Sequence, residues 1–196
     1  MVGASESGKS TLARQLFLSA APPRLVIDPA DSEICDVPGA VSFRDPTRFD
    51  PNVATARFVP YDPGDLDAYD ELYRRVKALG GPRYVWVDEA GLVLPANGTK
   101  RWARAVVVQG RKAEIGHLAL HTRPSELLVQ LKSVLHHLIS YPLADPDDRK
   151  WVARATGLPS SELDAAYDRL EPFGFLWWQR TARRVSICKP LTLTGR

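Results

Sequence analysis

Gly3-Ala4-Ser5-Glu6-Ser7-Gly8-Lys9-Ser10 has the spacing G-x-x-x-x-G-K-[ST], the pattern of a loop that wraps a polyphosphate. Gly3 and Gly8 let the backbone take conformations a Cβ resists, so that its N–H groups turn toward anionic oxygens. Lys9 then reaches the β- and γ-phosphates, and the Ser10 hydroxyl ligates Mg²⁺. Thr11 completes the cradle and begins a good helix-forming run to Phe17, whose N-terminal dipole favours an anion. The chemistry implied is binding of a nucleoside triphosphate with Mg²⁺.

A second acidic constellation follows about eighty residues later. Val85-Trp86-Val87-Asp88-Glu89 is an apolar run ending in two carboxylates. A carboxylate at the tip of a strand holds Mg²⁺ opposite the Ser10 hydroxyl, which assigns Asp88 to the metal. The adjacent Glu89 is then the base that polarises an attacking water, which suits hydrolysis more than transfer to a fixed acceptor.

The elements that must position these groups alternate. Arg24–Pro29, Ala40–Phe43, Ala56–Pro60, Tyr84–Asp88, Gly116–Leu120 and His136–Tyr141 read as strands. Residues 65–79 carry apolar side chains at helical spacing and are closed by Gly80-Gly81-Pro82. Further helices are expected over 100–112, 125–134, 145–156 and 160–170. Gly174–Gln179 and Arg184–Cys188 flank a polar turn and read as a hairpin. This rhythm predicts an α/β fold, a mostly parallel sheet layered by helices, with a small C-terminal helical and β-hairpin appendage. A single domain is expected over 1–196, with its core over 1–156 and the appendage over 157–196. Only Met1 and Val2 precede the loop, where a buried strand is normally found. The first strand is therefore expected either to be a stub or to lie upstream, with an upstream-extended chain the more stable.

Composition narrows the class. The 196 residues are 44% hydrophobic, which suits a globular core. No apolar run approaches the roughly 18 residues of a membrane span. Cys35 and Cys188 have no metal-like spacing and read as buried thiols of a cytoplasmic chain. The phosphate loop occupies the N-terminus, so no signal peptide is expected there. The net charge of +3 permits nucleic-acid binding without arguing for it.

The stretch Gly110-Arg111-Lys112-Ala113-Glu114-Ile115-Gly116-His117-Leu118-Ala119-Leu120-His121-Thr122-Arg123-Pro124-Ser125 resembles a segment of FtsK–HerA superfamily P-loop ATPases, which runs roughly G-R-x-x-G-I-H-L-x-x-A-T-Q-R-P-S. Leu25–Pro29 and His137–Asp148 agree with it, and the likeness spans about residues 1–156. The chain is most similar to the compact genome-packaging ATPases of membrane-containing icosahedral viruses. The resemblance implies a RecA-like (ASCE) sheet, ATP and Mg²⁺ as cofactors, a homohexamer, and movement of double-stranded DNA without sequence preference. Capsid or membrane-vertex proteins are implied as partners, and the host cytoplasm or the virion as location. It sets Thr122 at the polar sensor, where Gln is common, with His121 able to share the role. It sets Arg111 where some relatives reach a neighbouring subunit's nucleotide.

Other features are read more plainly. Lys100, Arg101, Arg104 and Lys112 make a basic region that either contacts DNA phosphates or is simply solvated. Pro95–Thr99 before it is the candidate pore loop. His136 and His137 point to opposite faces of a strand and lack companion ligands. Two rival functions stand beside the motor, a nucleotide-dependent regulatory switch and a small-molecule kinase. No N-K-x-D segment favours a guanine switch, and no arginine-bearing lid favours a kinase.

Overall fold

The structure is a computed structural model that describes residues 1–79 and 84–190. The Gly80-Gly81-Pro82 stop lies outside the described residues. In chain order the elements are α1 (Lys9–Ser19), β1 (Arg24–Ile27), β2 (Val41–Phe43), β3 (Thr55–Phe58), α2 (Leu66–Ala78), β4 (Tyr84–Val87), α3 (Ala90–Val93) and α4 (Arg101–Gln109). They continue with β5 (Gly116–Ala119), α5 (Leu131–Val134), β6 (His137–Ser140), α6 (Pro146–Thr156), α7 (Ser160–Tyr167), β7 (Phe175–Gln179) and β8 (Arg184–Cys188).

Five strands form a parallel sheet in the order β2-β3-β1-β4-β5. Leu25–Ile27 of β1 and Val85–Val87 of β4 are apolar without a break because both faces of the sheet are covered there. The two-residue period divides them cleanly. Leu25, Ile27, Val85 and Val87 pack into one core with Tyr69, Leu72, Tyr73 and Val76 of α2 and Ala103 and Val106 of α4. Val26, Trp86 and Leu118 point the other way, onto Leu12, Ala13 and Phe17 of α1. Asp65 starts α2 by accepting from the backbone N–H groups of Asp67 and Ala68.

The C-terminal hairpin forms as expected and is joined by β6. β6 pairs antiparallel with β7, and β7 with β8, in a separate three-stranded sheet. Helices α6 and α7 cover that sheet through Trp151, Val152, Leu163 and Tyr167. The expected helix over 125–134 is not continuous. A 3₁₀ turn at Pro124–Glu126 is followed by extended backbone, and only Leu131–Val134 is α-helical. Leu127 and Leu128 are both buried, and the segment pairs with Pro95 and Leu94. Two adjacent buried leucines are served by extended pairing, which overrides their helix propensity.

Backbone pairing by Met1 and Val2 joins the two sheets. Val2 forms parallel bridges to His121 at the end of β5 and to Ser140 of β6. Its N–H donates to Ile139 O at 2.9 Å, and its carbonyl accepts from Tyr141 N–H at 2.9 Å. The Met1 amine donates to Ala119 O at 2.6 Å. Burial, then the charge of Lys9, brings this amine down to about 5. Met1 and Val2 thus lie where a strand between β5 and β6 would run. Beneath them an apolar cavity of about 720 Å³ separates β5 from β6, lined among others by Leu16, Val108, Ile139, Phe175 and Trp177.

The amine's folded value lies below its ordinary 8, so between about pH 5 and 8 the unfolded chain binds the extra proton. Its contribution is complete above pH 8 and is lost as pH falls toward 5, at about 1.4 kcal/mol per unit. Adding β-favouring residues before Met1 replaces the amine with an amide and fills the cavity. The extended chain is expected to melt higher, with the larger gain at pH 6 than at pH 8. Thermal melts of both chains check this, and equal midpoints at both pH values contradict it.

Candidate functional site

Gly3 leaves the Val2 joint with φ +153, and a Cβ there would lie 2.5 Å from Tyr141 Cβ. A side chain at Gly3 would therefore push the loop off the smaller sheet. Ala4, Ser5 and Glu6 stand exposed, with Glu6 at φ +60. Ser7 is half-buried, and its hydroxyl has no hydrogen-bond partner among the described residues. Gly8 caps α1 at φ +90, again where a Cβ is disfavoured. The first turn of α1 holds no acidic residue, so its unpaired N–H groups and dipole are available to an anion. Lys9 is buried and folds back to donate to the Ala4 carbonyl. Burial lowers its amine, against the opposing charges of Glu89 and Asp88. Ser10 is half-buried and Thr11 exposed at the same helix end. Residues Glu6 to Thr11 wall one side of a hollow of about 430 Å³.

Across the sheet, β4 delivers Asp88 and Glu89. Asp88 is buried, and burial pushes its carboxyl up to about 6, with the charges of Glu89 and Asp28 acting in the same direction. A hydrogen bond from Cys35 and the charge of Lys9 act the other way. Asp28 at the end of β1 is also buried but is served by Arg57, at 2.6 and 3.1 Å, and by Ser32 N–H. Asp28, Cys35 and Asp88 bring ligand atoms within 4.8 Å of one another. Arg57 already neutralises Asp28, and burial pushes the Cys35 thiol up, so that it stays protonated. Oxygen donors suit a hard cation. Of the three, Asp88 is the oxygen donor that no arginine among the described residues neutralises.

Glu89 takes a left-handed conformation, φ +45 and ψ 57, at the start of α3. A non-glycine residue there is strained, and such strain gathers at functional sites. The next N–H, of Ala90, donates to Leu120 O at 2.7 Å and fixes the turn against the end of β5. Glu89 Oε2 lies 3.7 Å from His121 Nδ1, and Glu126 Oε2 lies 3.7 Å from His121 Nε2. The His121 imidazole holds the Glu89 carboxyl below the usual range, against burial, with a smaller pull from Lys9. Gly91 makes room for this ring, since a Cβ at residue 91 would come 2.3 Å from His121 Cε1.

The remaining predicted residues divide. Thr122 is half-buried beside His121, and its hydroxyl makes no hydrogen bond among the described residues. Arg111 lies in the 3₁₀ turn Gly110–Ala113; its side chain lies outside the described residues. Lys100 pairs with Asp67 at 2.9 Å. Arg101 lies over the Trp102 ring. Arg101 and Arg104 share the wall of a shallow hollow with Thr99, Gln109 and Gln130, and Lys112 is exposed. The candidate pore loop is pinned at its base by the Pro95–Leu127 bridge and a Thr99 hydroxyl bond to Pro95 O, leaving Asn97 and Gly98 at the tip. Arg123 ties Asp148 and Asp145 at the start of α6.

Sequence reasoning missed Ile34, Tyr141, Phe173 and Pro190, which line the hollow beside the loop. Of these only Phe173 carried a local signal, sitting between Pro172 and Gly174.

No protein-family model matches the chain, and no curated protein matches it in sequence. Solved structures do match in fold. The genome packaging NTPase B204 from Sulfolobus turreted icosahedral virus 2, in complex with AMPPCP, superposes with a TM-score of 0.78 at 16% identity, over 97% of this chain and 96% of that one. B204, the DNA-packaging ATPase from Sulfolobus turreted icosahedral virus, gives 0.71 at 17% identity over 97% and 96%. The N-terminal domain of zonular occludens toxin from Neisseria meningitidis gives 0.53 at 12% identity over 98% and 93%. The chain has the α/β fold of these proteins.

Replacing His121 with Ala removes the ring that lowers Glu89. The Glu89 carboxyl is then expected to titrate at higher pH than in the parent, and Gly91→Ala should shift it in the same direction by displacing the ring. Side-chain NMR titration of Glu89 checks this. An unmoved titration in both variants would mean that another group holds the carboxylate.

Proposed function

We propose that this protein is an ATP-hydrolysing motor of the FtsK–HerA kind that moves double-stranded DNA, with viral or proviral genome packaging as its role. The observation that supports the reading is that Lys9 of the loop feels the charges of Glu89 and Asp88, with His121 3.7 Å from Glu89, beside the joint between the two sheets. The fold shared with B204, a packaging ATPase, supports it.

In this reading the loop amides from Ala4 to Thr11 and the Lys9 amine bind the phosphates. Ser10 and Asp88 hold Mg²⁺, which when bound offsets phosphate charge. Glu89 accepts the proton of the attacking water, and its lowered pKa keeps it ionised for that task. His121 and Thr122 stand beside it as the γ-phosphate sensor. Arg111 reaches the site of a neighbouring copy in a homohexamer. Arg101, Arg104 and Lys112 offer phosphate contacts to the duplex, whereas Lys100 is engaged by Asp67. No helix among the described residues is long and apolar enough to cross a membrane, so docking to a capsid or membrane vertex would fall to surface contacts.

ATP turnover measured with and without long duplex DNA, over a range of salt, tests the motor reading. Duplex DNA is expected to stimulate turnover, and the stimulation should fade steeply with salt because phosphate contacts release counterions. Lys9→Ala should lose nucleotide binding. Glu89→Gln should bind ATP and lower turnover by roughly a hundredfold or more, the scale of a general base. Turnover indifferent to DNA would favour the regulatory ATPase or the kinase instead. Full turnover by Glu89→Gln would remove Glu89 from the chemistry.

A further inference from the structure

Glu171-Pro172-Phe173-Gly174 is a tight turn closed by the Gly174 N–H on Glu171 O at 2.8 Å. Proline at its second position and a positive φ at its third are the marks of a type II turn, whose third position belongs to glycine. Here that position holds Phe173 at φ +62. The side chain gains little packing in return, for it is 62% exposed. A bulky aromatic that is both strained and left in water calls for a use elsewhere.

The ring stands over the phosphate loop. A Cβ built on Gly8 would lie 3.8 Å from Phe173 Cδ1 and 3.8 Å from Tyr141 Oη. Phe173, Tyr141, Ile34, Leu12 and Pro190 form the apolar side of the same 430 Å³ hollow whose polar side is the loop and the start of α1. The turn is steadied from behind, since Lys189 approaches Glu171 at 4.0 Å next to Pro190. A Cβ at Gly174 would lie 2.9 Å from Glu171 O and 3.2 Å from Cys188 O, so the turn is packed tightly against the end of β8.

We propose that Phe173 is the platform on which the purine ring of the nucleotide stacks, with Ile34 and Pro190 bounding the base. The proposal rests on the phosphate-loop reading of Gly3–Ser10. Base selection then follows from the chemistry of the walls. Among the described residues they offer π-surface and apolar contact in place of a set of donors and acceptors aimed at a base edge. Such a site favours the larger purine surface over pyrimidines and discriminates poorly between adenine and guanine.

Binding of Mg·ATP, Mg·GTP, Mg·UTP and inorganic tripolyphosphate, measured by calorimetry on the full chain, tests this. In the parent protein ATP and GTP should bind within about threefold of each other and UTP more weakly. Phe173→Ala should weaken ATP and GTP by roughly tenfold, the scale of one base–aromatic stack, and leave tripolyphosphate unchanged. Phe173→Trp should keep purine binding. Phe173→Gly should weaken purine binding yet raise the melting temperature, because glycine relieves the turn. A residue of purely structural use would not split affinity and stability in opposite directions. ATP binding unchanged in Phe173→Ala, while Lys9→Ala abolishes it, would overturn the platform and leave the phosphate loop standing. Binding unchanged in both variants, or no binding by the parent, would overturn the underlying reading and the platform with it.

Discussion

Four backbone hydrogen bonds made by Met1 and Val2 hold the molecule together at its working point. They join the end of β5 to β6, and so the parallel sheet to the antiparallel one. The phosphate loop leaves directly from this joint, with Gly3 pressed against Tyr141 of the smaller sheet. The larger sheet contributes Asp88, Glu89 and His121, and the smaller one Tyr141 and the turn bearing Phe173. A nucleotide in the hollow would therefore touch both. The pairing of Met1 and Val2 sits beside an apolar cavity that Met1 helps to line.

The electrostatics of the site show the same dependence on what is brought together. Lys9 is lowered by burial and Asp88 raised by it, and each is partly restored by the other. Asp28, buried in the same neighbourhood, is paired with Arg57, which reaches it from β3. Glu89 goes the opposite way from its neighbour Asp88, since His121 stands beside it. Two adjacent carboxylates are thus driven apart, Asp88 upward and Glu89 downward. Strain is placed in parallel, with Glu89 and Phe173 both in left-handed backbone on opposite sides of the loop.

The fold and the loop were legible in the sequence for physical reasons. Strands buried on both faces read as unbroken apolar runs, as in Leu25–Ile27 and Val85–Val87, and α2 shows its buried side at helical spacing. The loop's glycines are needed where the backbone turns left-handed or crowds Tyr141. The sequence was silent where partners are distant. Leu127 and Leu128 look helical until Leu94 and Pro95 are seen beside them. That β6 belongs with the hairpin depends on pairing across forty residues, which no local pattern records. The likeness of residues 110–125 to a known segment drew attention to Thr122, yet His121 is the side chain that reaches Glu89. Phe173 lay in plain sight between a proline and a glycine, but its use depends on where the turn ends up.

The central claim is that one nucleotide engages both sheets at the Val2 joint. Amide hydrogen exchange with and without Mg·ATPγS addresses it most directly. Slowed exchange is expected over residues 3–11 and 120–122 from the parallel side and over 139–142 and 171–174 from the antiparallel side. Protection confined to the loop and the parallel sheet, with 139–142 and 171–174 unchanged, would contradict the account.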